Sequence, residues 1–201
     1  MTQKQEMRKK YRTLRNDMDR DSAERLSARI CRRISESPLF KNAKYIYAYY
    51  PLGNEADIRP VVEEAWRKGK CVAFPKVFGE ELRFFEVEDF AQLSEGAFGV
   101  MEPSEDGETD SSDGPSRPVP VDWRGEEALV LTPGVAFDRK GNRMGFGKGY
   151  YDRHFAGDNR CVMMGVAYEL QIADQLPADP FDVVMSCIMT EQNQYGNTVS
   201  L

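Results

Sequence analysis

Apolar residues recur along this chain in two periods, and the changes of period divide it into elements. Residues 3–19 are rich in helix formers, with Met7, Tyr11, Leu14 and Met18 at spacings of four, three and four. That spacing predicts an amphipathic helix with a narrow apolar stripe. A second helix follows, capped by Asp21 or Ser22, with Leu26, Ile30 and Ile34 on one face and Pro38 ending it. Over residues 43–50 the pattern becomes an apolar run, Tyr45-Ile46-Tyr47-Ala48-Tyr49-Tyr50, which predicts a buried strand broken by Pro51 and Gly53. Asp57 is placed to cap a third helix, with Pro60 in its first turn, Val61, Val62, Ala65 and Trp66 on its inner face, and Gly69 past its end. Residues 71–75 form the next strand.

Strand, helix and strand with short connections make a βαβ unit, which implies a parallel sheet with helices on its faces. The runs 82–87, 128–131, 161–168 and 183–189 predict further strands, and residues 149–155 begin a helix. The expected fold class is therefore α/β: a single-domain three-layer α/β/α sandwich with a mainly parallel central sheet, spanning residues 1–201. Residues 103–120 stand apart. They hold four prolines, four serines and many acids with almost nothing to bury, which predicts an exposed or disordered insert.

Charge changes the picture in one place. The net charge of −6 gives no reason to expect general nucleic-acid binding. Residues 1–33, however, carry eleven Lys or Arg against five acids, a basic arm on an acidic body. Cys31, Cys71, Cys161 and Cys187 are widely spaced and form no CxxC pair, so reduced thiols are expected. No apolar stretch is long enough to span a membrane, and a cytoplasmic location is the default. The single histidine, His154, excludes a metal site built on two histidines, and a solvent-facing helix position is expected for it.

Chemistry concentrates in residues 141–152, Gly-Asn-Arg-Met-Gly-Phe-Gly-Lys-Gly-Tyr-Tyr-Asp. Gly145, Gly147 and Gly149 alternate around Phe146 and Lys148. Backbone without Cβ atoms approaches an anion closely, its N–H groups cradle phosphate, and Lys148 adds a point charge. Arg143 is a forked donor to oxygen, and Asp152 is a hard ligand suited to Mg²⁺. A nucleoside-triphosphate site accounts for this set. A flexible glycine turn opening a helix accounts for the glycines alone. The stretch is neither a P-loop nor a dinucleotide fingerprint: position 142 is Asn142, Gly149 follows Lys148, and position 150 is Tyr150.

Three further features bear on the same chemistry. Lys4 and Arg8 lie one helical turn apart, on one face, and either reach polyphosphate together or form a solvated basic face. Glu55 follows the first strand, at the end of a parallel sheet where ligands bind, and either accepts from a polar heterocycle or is a surface carboxylate near a helix start. Asp182, after Pro180-Phe181, either joins Asp152 at a metal or marks a strand entry.

In this combination the chain resembles the 5-formyltetrahydrofolate cyclo-ligase (methenyltetrahydrofolate synthetase) family. The resemblance rests on Lys4-x-x-x-Arg8, Tyr49-Tyr50-Pro51 with Glu55, Phe74-Pro75, Phe98-Gly99-Val100 with Glu102-Pro103, and Asp182-Val183. Most specific is the run from Thr132-Pro133-Gly134 through Phe137-Asp138 to Asp152. Ile58 stands where many members carry threonine, and Phe181 where bacterial members often carry histidine. The resemblance implies ATP- and Mg²⁺-dependent closure of 5-formyltetrahydrofolate to 5,10-methenyltetrahydrofolate, with release of ADP and phosphate. A monomer is the expected form. The resemblance also implies Lys148 and Arg143 as catalytic cations. It makes Lys4, Arg8 and the loop Arg143-Met144-Gly145-Phe146-Gly147-Lys148-Gly149-Tyr150-Tyr151 the ATP site. It gives Tyr50, Glu55, Tyr150 and Tyr151 to the folate, and Asp152 and Asp182 to Mg²⁺. The alternative is a relative that binds nucleotide or folate without cyclising it.

Overall fold

The computed structural model describes residues 2–96, 99–104, 117–125, 127–157 and 161–196. The chain begins with helix α1 (Gln3–Asn16), closed at its start by a reciprocal capping box between Thr2 and Gln5. Helix α2 (Arg20–Glu36) is capped by Asp19, whose side chain accepts from the Ser22 N–H, so the cap lies two residues before the expected Asp21. Ser37 then caps α3 (Pro38–Asn42), and Pro38 sits in its first turn. Pro38 thus opens a new helix as well as closing α2, because its missing N–H is needed by no first-turn carbonyl.

The strands follow in order: β1 (Tyr45–Tyr47), β2 (Cys71–Phe78), β3 (Glu81–Glu86), β4 (Leu93–Glu95), β5 (Met101–Pro103), β6 (Val119–Val121), β7 (Ala128–Thr132), β8 (Ala136–Asp138), β9 (Arg143–Met144), β10 (Val162–Val166), β11 (Ile172–Ala173), β12 (Cys187–Met189) and β13 (Gln194–Gly196). Helix α4 (Arg59–Arg67) separates β1 from β2, and α5 (Tyr150–His154) precedes β10. Pro60 lies in the first turn of α4 as expected, but the capping position is Ile58 and has no side-chain hydrogen bond. Asp57 instead accepts from the Arg59 N–H and grips its guanidinium.

Eight strands form the main sheet in the order β13-β12-β10-β7-β1-β2-β3-β6. Five adjacent strands, β12-β10-β7-β1-β2, run parallel; β13 is antiparallel at one edge, and β3 and β6 extend the other in antiparallel pairs. The expected α/β class with a mainly parallel sheet holds. Successive side chains serve opposite faces: Ile46, Leu129, Leu131 and Met164 pack beneath Ile30, Ile34, Val61 and Val62 of α2 and α4. Tyr47, Val130 and Met163 pack with Phe84, Phe137 and Phe155 on the other face. That second face is covered by the single short α5 and an aromatic cluster rather than by long helices.

Several expectations shift in detail. Of the predicted stripe on α1, Tyr11 is buried, but Leu14 is 42% exposed and the buried neighbour is Arg15. His154 does not face solvent: its Nδ1 lies 2.8 Å from the Leu82 carbonyl and its ring packs on Phe84 and Phe155. Burial pushes its pKa down. Of the expected insert, Pro103 and residues 119–120 belong to strands β5 and β6, while residues 105–116 lie outside the described residues, as does Phe98.

Candidate active site

The residues flanking the C-terminal ends of β1 and β7 line a cavity of about 570 Å³. This is the edge where an open parallel sheet accepts ligands, because the strand-to-helix loops there are not committed to the ladder. Every site residue expected from the sequence borders this one cavity.

The glycine loop forms one wall. β9 pairs antiparallel with β8, which delivers the chain from Arg143-Met144 into the loop. Upstream, the buried Asp138 carboxylate accepts from the N–H groups of Lys140, Asn142 and Leu176, fixing the turn that aims this segment. Gly147 (φ +97°) and Gly149 (φ +66°) take left-handed backbone that L side chains rarely adopt. Gly149 leads directly into α5, which carries Tyr150, Tyr151 and Asp152. The Arg143 guanidinium donates to both oxygens of Asp152 at 3.0 Å and lies 5.5 Å from the Tyr151 ring centroid. Asp152 also accepts from the Val183 N–H. Burial pushes the Tyr151 hydroxyl well up, and that hydroxyl has no hydrogen-bond partner among the described residues.

Helix α1 forms the facing wall. Lys4 Nζ lies 2.6 Å from Asp179 and 3.6 Å from Asp182, and the Asp179 hydrogen bond holds its pKa up. Arg8 Nε donates to the Gly145 carbonyl at 3.0 Å, and its guanidinium runs alongside Gly147. The two expected cations therefore do share a helix face, and both reach the cavity. Lys148 lines it from the loop side.

Glu55 closes one end. It is buried, contrary to the surface alternative; one oxygen accepts from the Leu52 N–H at 3.0 Å, and the other lies 3.4 Å from Arg15 Nη1. Burial raises the pKa of this carboxyl, and Arg15 opposes that rise. Tyr50, Pro75, Val77 and Leu82 give this part of the cavity flat and apolar walls.

Asp152 and Asp182 border the same space. Among the described residues there is no group of three His, Cys, Asp or Glu arranged to hold a metal ion.

Four contributors were not expected. Arg15 pairs with Glu55; Asp179 receives Lys4; and Glu102 lines the cavity as a buried carboxylate. Arg153 braces the loop by donating to the carbonyls of Lys148 and Glu80, while its guanidinium lies over Tyr150. Two of them left a trace in the sequence: Glu102 stands in the Glu102-Pro103 pair of the resemblance, and Arg15 continues the helix face of Lys4, Arg8 and Tyr11 by one more turn.

A parallel sheet whose strand ends carry a glycine loop, cations and carboxylates around one cavity has the architecture of an α/β enzyme. The 5-formyltetrahydrofolate cyclo-ligase family model matches residues 1–191, and the chain belongs to that family. It is similar to the solved 5,10-methenyltetrahydrofolate synthetase of Aquifex aeolicus, with TM-score 0.77 and 34% identity, covering 100% of this chain and 96% of that one. It is 28% identical over 186 residues to a probable 5-formyltetrahydrofolate cyclo-ligase of Schizosaccharomyces pombe, covering 85% of this chain and 86% of that protein. The mouse 5-formyltetrahydrofolate cyclo-ligase is 26% identical over 167 residues, covering 77% and 76%.

Proposed function

We propose that this chain closes 5-formyltetrahydrofolate to 5,10-methenyltetrahydrofolate at the expense of ATP. The observation that carries this assignment is that Glu55 and the glycine loop, with Lys4, Arg8, Arg143 and Lys148, face one cavity. An N-formyl group is a poor electrophile, and its oxygen leaves badly. In the proposed sequence the formyl oxygen attacks the γ-phosphorus and the bond to ADP breaks. N10 of the same folate then attacks the formyl carbon, the carbon–oxygen bond breaks, and phosphate departs with that oxygen while N10 loses its proton. Ring closure is intramolecular, so holding N10 near the carbon supplies much of the acceleration.

Phosphoryl transfer needs positioning and charge neutralisation more than covalent help. The backbone of Met144 through Tyr151 cradles the phosphates, Lys148 and Arg143 meet the charge that grows on the transferring group, and Lys4 and Arg8 hold the nucleotide from α1. Glu55 accepts from the pterin, between the flat side chains of Tyr50, Tyr150 and Tyr151. Mg²⁺ keeps several waters and takes only one or two carboxylates beside substrate phosphates, and Asp152 and Asp182 on the cavity wall offer that many. They would hold it, and the ion would neutralise phosphate charge. We take the enzyme to be a cytoplasmic monomer; Cys31, Cys71, Cys161 and Cys187 form no disulfide, which suits a reducing compartment.

The test is to mix protein, 5-formyltetrahydrofolate and Mg²⁺ with and without ATP. Conjugation across the methenyl bridge gives a new near-ultraviolet band. An ATP-dependent rise of that band is expected; ATP binding with no band would move the chain to a non-cyclising role.

A further inference from the structure

Arg15 and Glu55 are both nearly closed to solvent, with 6% of each side chain exposed. They come from different walls: Arg15 from the last turn of α1, Glu55 from the loop after β1. The same guanidinium lies 5.8 Å from the ring centroid of Phe146, in the middle of the glycine loop. A third tie fixes this corner. The Asn54 amide donates to the carbonyls of Arg15 and Asn16 in the last turn of α1 and of Met18 just beyond it. One buried arginine thus touches a residue from each half of the cavity, the carboxylate at the folate end and the aromatic at the phosphate end.

We propose that Arg15 is a positioning residue that seats Glu55 and the Phe146 side of the glycine loop together, so that folate and ATP bind interdependently. This rests on the assignment of Glu55 to folate and of the loop to phosphates. Two separate consequences follow. Anything that settles the loop settles Phe146, hence the arginine and the carboxylate it holds, and the coupling is reciprocal. Loss of the arginine leaves a buried carboxylate without its cation, which favours the protonated acid. The groups facing Glu55 are Arg15 from α1, Tyr49 beyond β1, Tyr151 from α5 and Tyr168 beyond β10, whose hydroxyl donates to the Glu55 carbonyl. Burial keeps the three tyrosines protonated, so the arginine supplies the opposing charge.

The experiment measures 5-formyltetrahydrofolate affinity across pH, with and without a non-hydrolysable ATP analogue and Mg²⁺, in the wild type, Arg15→Met and Arg15→Lys. In the wild type the analogue should tighten folate binding about five-fold or more. In Arg15→Met that factor should fall to about one, and the acid limb of folate affinity should move up by about one pH unit. Arg15→Lys, which keeps the charge, should restore most of the acid limb. If Arg15→Met binds folate more weakly but keeps the wild-type factor and the wild-type pH profile, the proposal is overturned. Should Arg15→Met not fold, Phe146→Leu carries the test: it must lower the factor and leave the acid limb in place, and an unchanged factor overturns the proposal. Failure of the wild type to bind folate at all would overturn the functional assignment, and this inference with it.

Discussion

The sheet and the rim of the cavity are held together by different forces. At the sheet, Ile46, Leu129, Leu131, Val130 and Met164 are shut away from water and meet only other apolar groups, so cohesion is spread over many weak contacts. At the rim, the attachments are a few directed contacts, most of them from cations: Lys4 to Asp179, Arg8 to the Gly145 carbonyl, Arg15 to Glu55, Arg143 to Asp152, Arg153 to the Lys148 carbonyl. The difference teaches that the two regions should fail separately. Damage to the sheet lowers stability and leaves the surviving enzyme normal. Damage to the rim changes binding or turnover and leaves the melting temperature nearly in place, except at the buried Arg15–Glu55 pair.

The sheet arm of that comparison has the largest expected effect. Phe137 is fully buried, and its ring sits so close to Gly134 and Gly165 that a Cβ on either would come within 2.6 Å of it. Phe137→Ala should cost about 3–5 kcal/mol of stability in chemical denaturation. Lys148→Ala is the rim counterpart: kcat should fall about 100-fold, because the charge that Lys148 is proposed to meet grows in the transition state. Its melting curve should overlay the wild type, and unchanged turnover would remove the loop from phosphate chemistry. Arg8→Ala should raise the KM for ATP about ten-fold, a loss of about 1.4 kcal/mol of binding, with a smaller change in kcat. Glu55→Gln should weaken folate more than ATP; equal effects in paired KM measurements would argue against its place at the pterin.

The smallest effect sits where the two regions meet. His154 lies on the helix that follows the glycine loop but packs into the aromatic side of the sheet. Burial favours its neutral form, so its folded pKa lies below the ordinary 6.5. As pH falls below that ordinary value the unfolded chain takes up the proton first. Stability present above pH 6.5 is therefore lost progressively as pH drops through the lowered folded value. Unfolding curves for the wild type and His154→Gln should diverge in their pH slope only on that acid side. Parallel slopes would place the histidine in water after all.

The sheet was legible because its cause is periodic. Alternation and apolar runs mark residues 71–75, 82–87 and 128–131 as strands whatever lies elsewhere in the chain. The glycine loop was legible for a different reason: three alternating glycines beside Lys148 are a local solution to phosphate contact. The short elements were not. β8, β9 and β11 hold two or three residues each, too few for a period to show. The rim's partners were hidden by distance, since nothing near Lys4 in the chain points to Asp179, 175 residues on. The α1 stripe shows the limit most directly. Positions 7, 11, 14 and 18 and positions 4, 8, 11 and 15 differ by a small rotation of one helix. Hydrophobicity favours the first set, whereas the structure buries Arg15 and leaves Leu14 exposed, because a carboxylate waits opposite.

The central claim is that ATP activates the formyl oxygen so that N10 can displace it. Its most direct test is a turnover with 5-formyltetrahydrofolate carrying ¹⁸O in the formyl group, followed by mass analysis of the released phosphate. The account predicts one ¹⁸O in each phosphate formed, in step with growth of the methenyl band. Methenyl product accompanied by unlabelled phosphate would contradict it.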